Sequence, residues 1–233
     1  MPRSFLGPLG RDHDRLHLVL MLALTFSTGI ADAVGYLGLD RVFTGNMTGN
    51  VVILGMALAG GDDLPVAGPL LALGTFMAGA VVAGVVLRPA PVGWTSRTTG
   101  MLVTVGLVLA AIAVVLVVSD DDLPHGVQLT VTGLLAFAMG TQAATARHLA
   151  VKDVTTVVVT STITGLAADS RLAGGHGDNA ARRILAIALI CAGAAAGALL
   201  LQAHLAWGVA VSAVLTLAVA ALGHPFGHTS EEA

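Results

Sequence analysis

The chain has 233 residues, of which 55% are hydrophobic and only 11% charged, and its formal net charge is −3. A soluble domain is usually about one quarter charged, so this composition excludes a protein that faces water on all sides. The small net charge and scattered basic residues also argue against a nucleic-acid partner. The single cysteine, Cys191, lies in an apolar run, and we expect it to be buried and inert.

Apolar segments recur along the whole chain, and several approach the roughly 20 residues that cross a bilayer as a helix. A β-barrel would instead show short segments of alternating polarity. The sequence therefore predicts an all-α polytopic membrane protein. The apolar segments lie at about 16–38, 44–60, 67–88, 99–119, 126–148, 154–169, 181–202 and 204–223.

The first segment could mimic a cleavable signal peptide, because basic residues precede it and Ala31-Asp32-Ala33 has the A-x-A form of a cleavage site. Asp12 and Asp14 fit the basic start of such a signal poorly, and an Asp beside the cleaved bond is unusual. We therefore interpret 16–38 as the first membrane helix.

Segments 44–60 and 154–169 are short and begin with polar residues. If all eight segments spanned the membrane, the eleven Lys and Arg residues would divide six to five between the two sides. If these two segments instead return to the side from which they enter, the division is ten to one, as the enrichment of basic residues in cytoplasmic loops requires. We therefore predict six spanning helices plus two re-entrant or broken helices, with both termini cytoplasmic.

This arrangement divides the chain into two similar halves of opposite orientation. We predict a cytoplasmic tail at 1–15, membrane repeats at 16–119 and 120–223, and a second cytoplasmic tail at 224–233. Inverted repeats with broken helices near the midplane are a recurrent plan of transporters. Two short motifs support the repeat: GIADA at 29–33 matches GTQAA at 140–144, and TGNMTGN at 44–50 matches TVVVTST at 156–162.

Two longer stretches, GIADAVGYLGLDRVFTGNMTGNVVILG and GTQAATARHLAVKDVTTVVVTSTITG, carry a family resemblance. Together they make the chain resemble the YoaK-like family of bacterial membrane proteins over roughly residues 16 to 220. The resemblance implies a multi-pass protein of the bacterial inner membrane, and it implies no particular substrate.

The stretch FTGNMTGN at 43–50 places two Thr and two Asn in a greasy chain. Gly45 and Gly49 would give a helix-packing groove of the small-xxx-small kind, which leaves the asparagines unexplained. If a helix begins near Met47, Thr and Asn side chains can cap it. Its partial positive end would then point at the protein centre and suit a neutral or anionic solute, and repel cations.

Asp32 is the one ionisable residue that we place clearly inside the bilayer, where a carboxylate costs roughly 2.5–3.5 kcal/mol on insertion scales. It could bind solute or carry a proton, or it could accept N–H bonds from the helix start near Met47. Gln142 occupies a similar place in the second half without a charge. Gly193 and Gly197 in the run GAAAG are expected to form a helix-packing face.

The leading hypothesis is a small-solute transporter or channel with a polar midplane site, proton-coupled through Asp32 if it is coupled at all. A non-transporting scaffold or accessory subunit, whose polar residues form a sealed network, is the alternative. We expect no enzymatic activity, cofactor or metal, and the glycine faces would also permit a homo-oligomer. The predicted substrate-binding residues are Asp32, Thr44, Asn46, Thr48, Asn50, Gln142, Thr156, Thr160 and Thr162.

Overall fold

The computed structural model describes residues 8–61, 63–119, 123–149 and 159–226. Their regular structure is helical throughout. The helices are α1 (Pro8–Gly38), α2 (Met47–Leu58), α3 (Ala67–Leu87), α4 (Ser96–Val118), α5 (His125–Leu149), α6 (Val159–Ala168), α7 (Ala180–Ala203) and α8 (Leu205–Gly223), with short 3-10 turns at Arg171–Ala173 and His224–Phe226.

Six of these helices are long and apolar enough to cross a bilayer, and α2 and α6 are the two short ones. The predicted membrane fold class is therefore confirmed. Helix α1 begins at Pro8, well before the predicted start at residue 16. Proline is common in the first turn of a helix because the N–H that it lacks has no partner there.

The six long helices differ in how much of each is buried by the rest of the protein. The central helices are α1 and α5, with 72% and 67% of their most apolar stretch buried, against 22% for α3 and 17% for α7. The most extensive contacts join α3 to α5, α1 to α7, and α4 to α8. Helices α1 to α4 correspond in order to α5 to α8. Under this correspondence the α1–α7 contact becomes the α5–α3 contact, and the α4–α8 contact maps onto itself.

Glycine contacts show the same correspondence at atomic detail. A Cβ atom at Gly29 in α1 would overlap the backbone oxygen of Ile190 in α7, and one at Gly140 in α5 would overlap that of Phe76 in α3. Small residues of this kind let membrane helices approach backbone to backbone.

The reciprocal contacts obey the same rule. A Cβ atom at Gly193 would meet the oxygen of Phe26, and one at Gly79 would meet that of Phe137. Gly193 and Gly197 are both buried in α7, so the predicted packing face of GAAAG is confirmed.

Helix directions follow from which residues meet. Gly29 faces Ile190 and Gly38 faces Leu201, so α1 and α7 run in the same direction. Helices α3 and α5 are likewise parallel, because Gly133 and then Gly140 meet successive residues of α3.

Helix α8 runs opposite to α1, since Ser27 bonds to Ser212 while the later Val34 meets the earlier Gly208. It also runs opposite to α4, because the turn before α4 meets the end of α8 at Gly223.

One end of the bundle gathers the start of α1 and the end of α5. His17 of α1 stacks on Trp94, with 5.7 Å between ring centroids, and the His148 Nε2 atom of α5 lies 3.0 Å from the Pro91 oxygen. Because Pro91 and Trp94 both belong to the α3–α4 turn, α5 runs opposite to α1. Helices α1, α4 and α7 therefore run in one direction, and α3, α5 and α8 run in the opposite direction. The three long helices of the second half thus have directions opposite to their counterparts in the first half.

The prediction of a buried Cys191 is wrong, because this thiol is exposed. Helix α7 turns Gly193 and Gly197 toward α1. A residue two positions before Gly193 points about 200° away at 100° per residue, onto the outer face of the bundle.

Candidate functional site

After α1 the chain reverses and runs back along the same helix. A Cβ atom at Gly35 would meet the Val42 oxygen, and one at Gly45 would lie 3.1 Å from the Thr28 methyl group. Since Thr28 lies earlier in α1 than Gly35, the segment from Val42 to Gly45 descends antiparallel to α1. Only a residue without a side chain allows this approach at Gly35.

Asp32 binds the end of this descending segment. Its Oδ1 atom accepts hydrogen bonds from the backbone nitrogens of Gly45 at 2.7 Å and Asn46 at 3.1 Å. Hydrogen bonds to an ionised acceptor are the stronger kind, and free N–H groups at a helix start carry partial positive charge. The predicted contact between Asp32 and the helix start is confirmed.

Helix α2 begins at Met47, as predicted, and Asn46 caps it. The Asn46 side-chain oxygen accepts from the Gly49 nitrogen at 3.3 Å, which satisfies one of the free donors of the first turn. The two asparagines of the stretch therefore have different tasks, because Asn50 does not act as a cap.

Asn50 pairs with the backbone of Phe43 in both directions. Its Oδ1 atom accepts from the Phe43 nitrogen at 2.9 Å, and its Nδ2 group donates to the Phe43 oxygen at 2.6 Å. The side chain is buried, and these two bonds fix the descending segment against α2. This pairing accounts for the second TGN repeat in physical terms.

The chain enters and leaves this feature at the same end of the bundle. The Arg41 guanidinium donates to the Asp63 oxygen at 3.2 Å, joining the residues just before the descent and just after α2. Asp40 and Arg41 adopt left-handed backbone angles, with φ of 59° and 58°, which turn the chain sharply after α1. Asp62 and the acidic residues at 120–122 lie outside the described residues.

A cavity of about 720 Å³ lies beside this reversal. Its described lining comes from α1, the descending segment and α2, with further residues from α3, α6 and α7. The polar lining residues are Thr28, Asp32, Asn46, Thr48 and Thr160, and the aromatic ones are Tyr36, Phe43 and Phe76. The first described residues of both short helices thus reach one cavity, and those of α6 are Val159 and Thr160.

The structure brings four predicted site residues to this cavity: Asp32, Asn46, Thr48 and Thr160. Thr44, Asn50 and Gln142 are buried and do not line it. The Thr44 hydroxyl has no hydrogen-bond partner among the described residues. Thr162 also lies off the cavity lining, and Thr156 lies outside the described residues.

Gln142 lies in the centre of the bundle. Its Nε2 group donates to the Thr28 hydroxyl at 3.3 Å, and its Oε1 atom accepts from the Thr216 hydroxyl at 3.3 Å. It therefore joins α1, α5 and α8, and it reaches the cavity only through Thr28.

Gly29 and Gly140 occupy equivalent positions in the two halves, because each meets the backbone of its partner helix. Ala31 is then equivalent to Gln142. Asp32 then corresponds to Ala143, and the expectation that Gln142 stands in the place of Asp32 needs correction by one residue. One position on a helix rotates a side chain by about 100°, which is why the two polar groups face different surroundings.

Sequence reasoning missed Phe43 and Phe76 as lining residues. Tyr36 and Phe43 stack with 4.7 Å between ring centroids, although Tyr36 lies in the last turn of α1 and Phe43 lies in the segment that folds back. The available signal was the first letter of FTGNMTGN, an aromatic residue that opens an otherwise polar stretch.

Six candidate spans, two short helices and a polar cavity between them define a polytopic helical membrane protein. The family model described as "Protein of unknown function (DUF1275)" matches residues 20–222, and the chain belongs to that family.

The chain is also similar to the UPF0700 transmembrane protein YoaK of Bacillus subtilis (strain 168), with 32% identity over 151 residues. That alignment covers 64% of this chain and 65% of YoaK. No solved structure matches the chain. The predicted YoaK-like resemblance is confirmed.

Proposed function

We propose that this protein is a small-solute transporter or channel of the bacterial inner membrane, with its solute site in the cavity beside Asp32. The observation that carries the proposal is the cavity of about 720 Å³ that the described starts of α2 and α6 both reach. Ligand pockets usually occupy about 300–1,000 Å³. A carboxylate placed within a membrane span is by default a functional group, and a proton coupled to transport would bind there.

Two further features support a transporter plan. The long helices of the two halves run in opposite senses with equivalent glycine contacts, which favours inverted repeats. The bond between Arg41 and Asp63 favours a re-entrant α2, because both ends of the feature lie on one side. Irregular backbone at membrane depth is tolerated where it lines a water-filled cavity.

Solute flux tests the proposal directly. Purified protein in proteoliposomes should move at least one member of a panel of small neutral, anionic and cationic solutes faster than protein-free vesicles do. Thr48→Trp should block that flux, because Thr48 is exposed at the cavity and a large side chain there fills it. The matched control is Thr104→Val on the exposed face of α4, which should leave flux unchanged. Flux that ignores Thr48→Trp, or no flux at all, would count against the proposal.

A scaffold or accessory subunit is the second candidate, and one observation favours it. The polar atoms of Asn50 and Gln142, which we predicted as solute ligands, form internal hydrogen bonds. Asn50 bonds to Phe43, and Gln142 bonds to Thr28 and Thr216. A scaffold would show those bonds and no solute flux. Its polar residues would then serve stability alone, and the absence of enzymatic activity stays a prediction under either function.

A further inference from the structure

We propose that the cavity beside Asp32 binds a small organic cation, either an amine or a quaternary ammonium compound. The inference deepens the proposed function, on which it rests for the idea that the bound molecule is also moved. It differs from the neutral or anionic solute expected from the helix starts alone. Three features of the described lining carry it: the donors already used at the helix start, the carboxylate that lines the cavity and the aromatic side chains.

The backbone donors of Gly45, Asn46 and Gly49 at the helix start are already used within the protein. The Gly45 and Asn46 nitrogens, which an anion would need, donate to Asp32 Oδ1 at 2.7 and 3.1 Å. The Gly49 nitrogen donates to the cap at Asn46. The first turn of α2 has therefore spent these donors within the protein, and a second anion would meet the Asp32 carboxylate instead.

The Asp32 carboxylate is also accessible from the cavity. The hydrogen bonds from Gly45 and Asn46 both end on Oδ1, the Thr44 backbone N–H also interacts with the carboxylate, and Asp32 lines the cavity. No Lys, Arg or His belongs to the described lining, so the carboxylate is its one charged group. A cationic solute would pair with the carboxylate and leave the bonds from Gly45 and Asn46 to Oδ1 intact.

Aromatic side chains are concentrated in the lining of this cavity. The sequence contains two Trp, one Tyr and six Phe, and three of these nine line this cavity. Tyr36 and Phe43 form a stacked pair, and Phe76 lies in the lining from α3. Aromatic rings beside an anionic group are a common means of recognising alkylammonium ions.

The chemistry of the lining favours an organic cation over a metal ion. Among the described residues no three His, Cys, Asp or Glu side chains approach one another as metal ligands. Hard metal ions take about six to eight oxygen ligands, whereas the described lining offers a single carboxylate. A cavity of about 720 Å³ is also much larger than a metal ion requires.

Binding of charged and uncharged molecules of the same shape tests the inference. Full-length protein in detergent would be titrated calorimetrically with choline, with its neutral analogue 3,3-dimethylbutan-1-ol, with methylamine and with acetate. We expect saturable binding of choline or methylamine, and choline at least about tenfold tighter than its neutral analogue. Saturable acetate binding, equal affinity for the two analogues, or no binding of either cation would overturn the inference.

Variants separate a ligand contact from a structural effect. Asp32→Asn keeps an Oδ1 acceptor for Gly45 and Asn46 but removes the charge, so cation affinity should fall at least about tenfold. Tyr36→Phe should keep the affinity and Tyr36→Leu should lower it about threefold or more. Thr104→Val, remote from the cavity, is the control. Unchanged cation affinity in Asp32→Asn would show that the carboxylate is not the ligand.

Flux measurements distinguish failure of this inference from failure of the proposed function. Protein that moves glycerol across vesicle membranes but binds neither cation would remain a transporter and would overturn the organic-cation site. Protein that binds choline through Asp32 without moving any solute would keep the site and lose the transport function.

Discussion

The Asp32 carboxylate and the Gly45 backbone nitrogen are joined by a 2.7 Å hydrogen bond, although thirteen positions separate them in the chain. The bond ties the C-terminal part of α1 to the start of α2. It also commits the Oδ1 atom to structure, while the carboxylate as a whole lines the cavity. Of the two roles that the sequence left open for Asp32, the structural one is therefore confirmed, and the ligand role stays a proposal.

Substituting Asp32 should separate the contribution of its acceptor oxygen to stability from the contribution of its charge. Asp32→Ala leaves the Gly45 and Asn46 nitrogens without their acceptor, and an unsatisfied buried donor costs about 1–3 kcal/mol. Asp32→Asn retains an acceptor oxygen and should unfold closer to the native protein. Thermal unfolding in detergent measures both. Equal destabilisation by the two variants would mean that the charge, and not the acceptor, holds α2.

Asn50→Ala should destabilise the protein more than Thr48→Ala, although the two residues are neighbours in α2. Asn50 is buried and its loss leaves both polar groups of the Phe43 backbone without partners, at about 1–3 kcal/mol for each group left unsatisfied. Thr48 is exposed, so its truncation should have little effect. The measurement is again the midpoint of thermal unfolding. A mild Asn50→Ala variant would show that water replaces the side chain.

Glycine substitutions should divide into two classes. Gly140→Ala places a methyl group against the Phe76 oxygen, so α3 and α5 must separate and the protein should lose stability or fail to fold. Gly84→Ala, also within a helix, meets nothing within 4 Å and should gain about 0.5–1 kcal/mol. Folded yield by size-exclusion chromatography and unfolding midpoints distinguish them. Similar behaviour of the two variants would contradict the backbone contact.

Cysteine labelling tests the membrane orientation of α2. Cys191 is exposed and must first be replaced by Ala. In that background Asp63→Cys should react with a membrane-impermeant maleimide from outside intact cells, and Arg97→Cys should react only after the membrane is opened. Asp63 shares an end of the bundle with Arg41, whereas Arg97 begins α4 beside the α3–α4 turn. Labelling of Asp63→Cys only after the membrane is opened, together with labelling of Arg97→Cys from outside, would mean that α2 spans the membrane.

Much of the fold was predictable because its determinants are local in sequence. Apolar runs of sufficient length identified the six spans, and charge asymmetry separated the two short segments. The start of α2 at Met47 followed from the preference of Asn for the cap position, a property of one residue and its next three neighbours.

The site was less predictable because its geometry depends on distant parts of the chain. Asn46 and Asn50 look equivalent in the sequence, yet only Asn46 lines the cavity, since Asn50 points at Phe43. Gln142 belongs to a motif that matches the one around Asp32, but it is offset by one residue, and this offset places its side chain inside the bundle. The aromatic lining comes from three elements, and no local pattern predicts that they meet.

The glycine contacts also bear on how this bundle could deform. Where the backbone of α1 lies against that of α7, and α3 against α5, no side chain intervenes that could change rotamer to absorb movement. Each of these two helix pairs therefore forms one stiff unit, or rib. Relative displacement of helices then occurs at contacts packed through longer side chains, such as the contact between α4 and α8 at Leu217. The cavity lies between the two ribs, with Asp32 on one and Phe76 on the other. A rocking of rib against rib would change the distance between the carboxylate and the Phe76 ring while each rib kept its own shape.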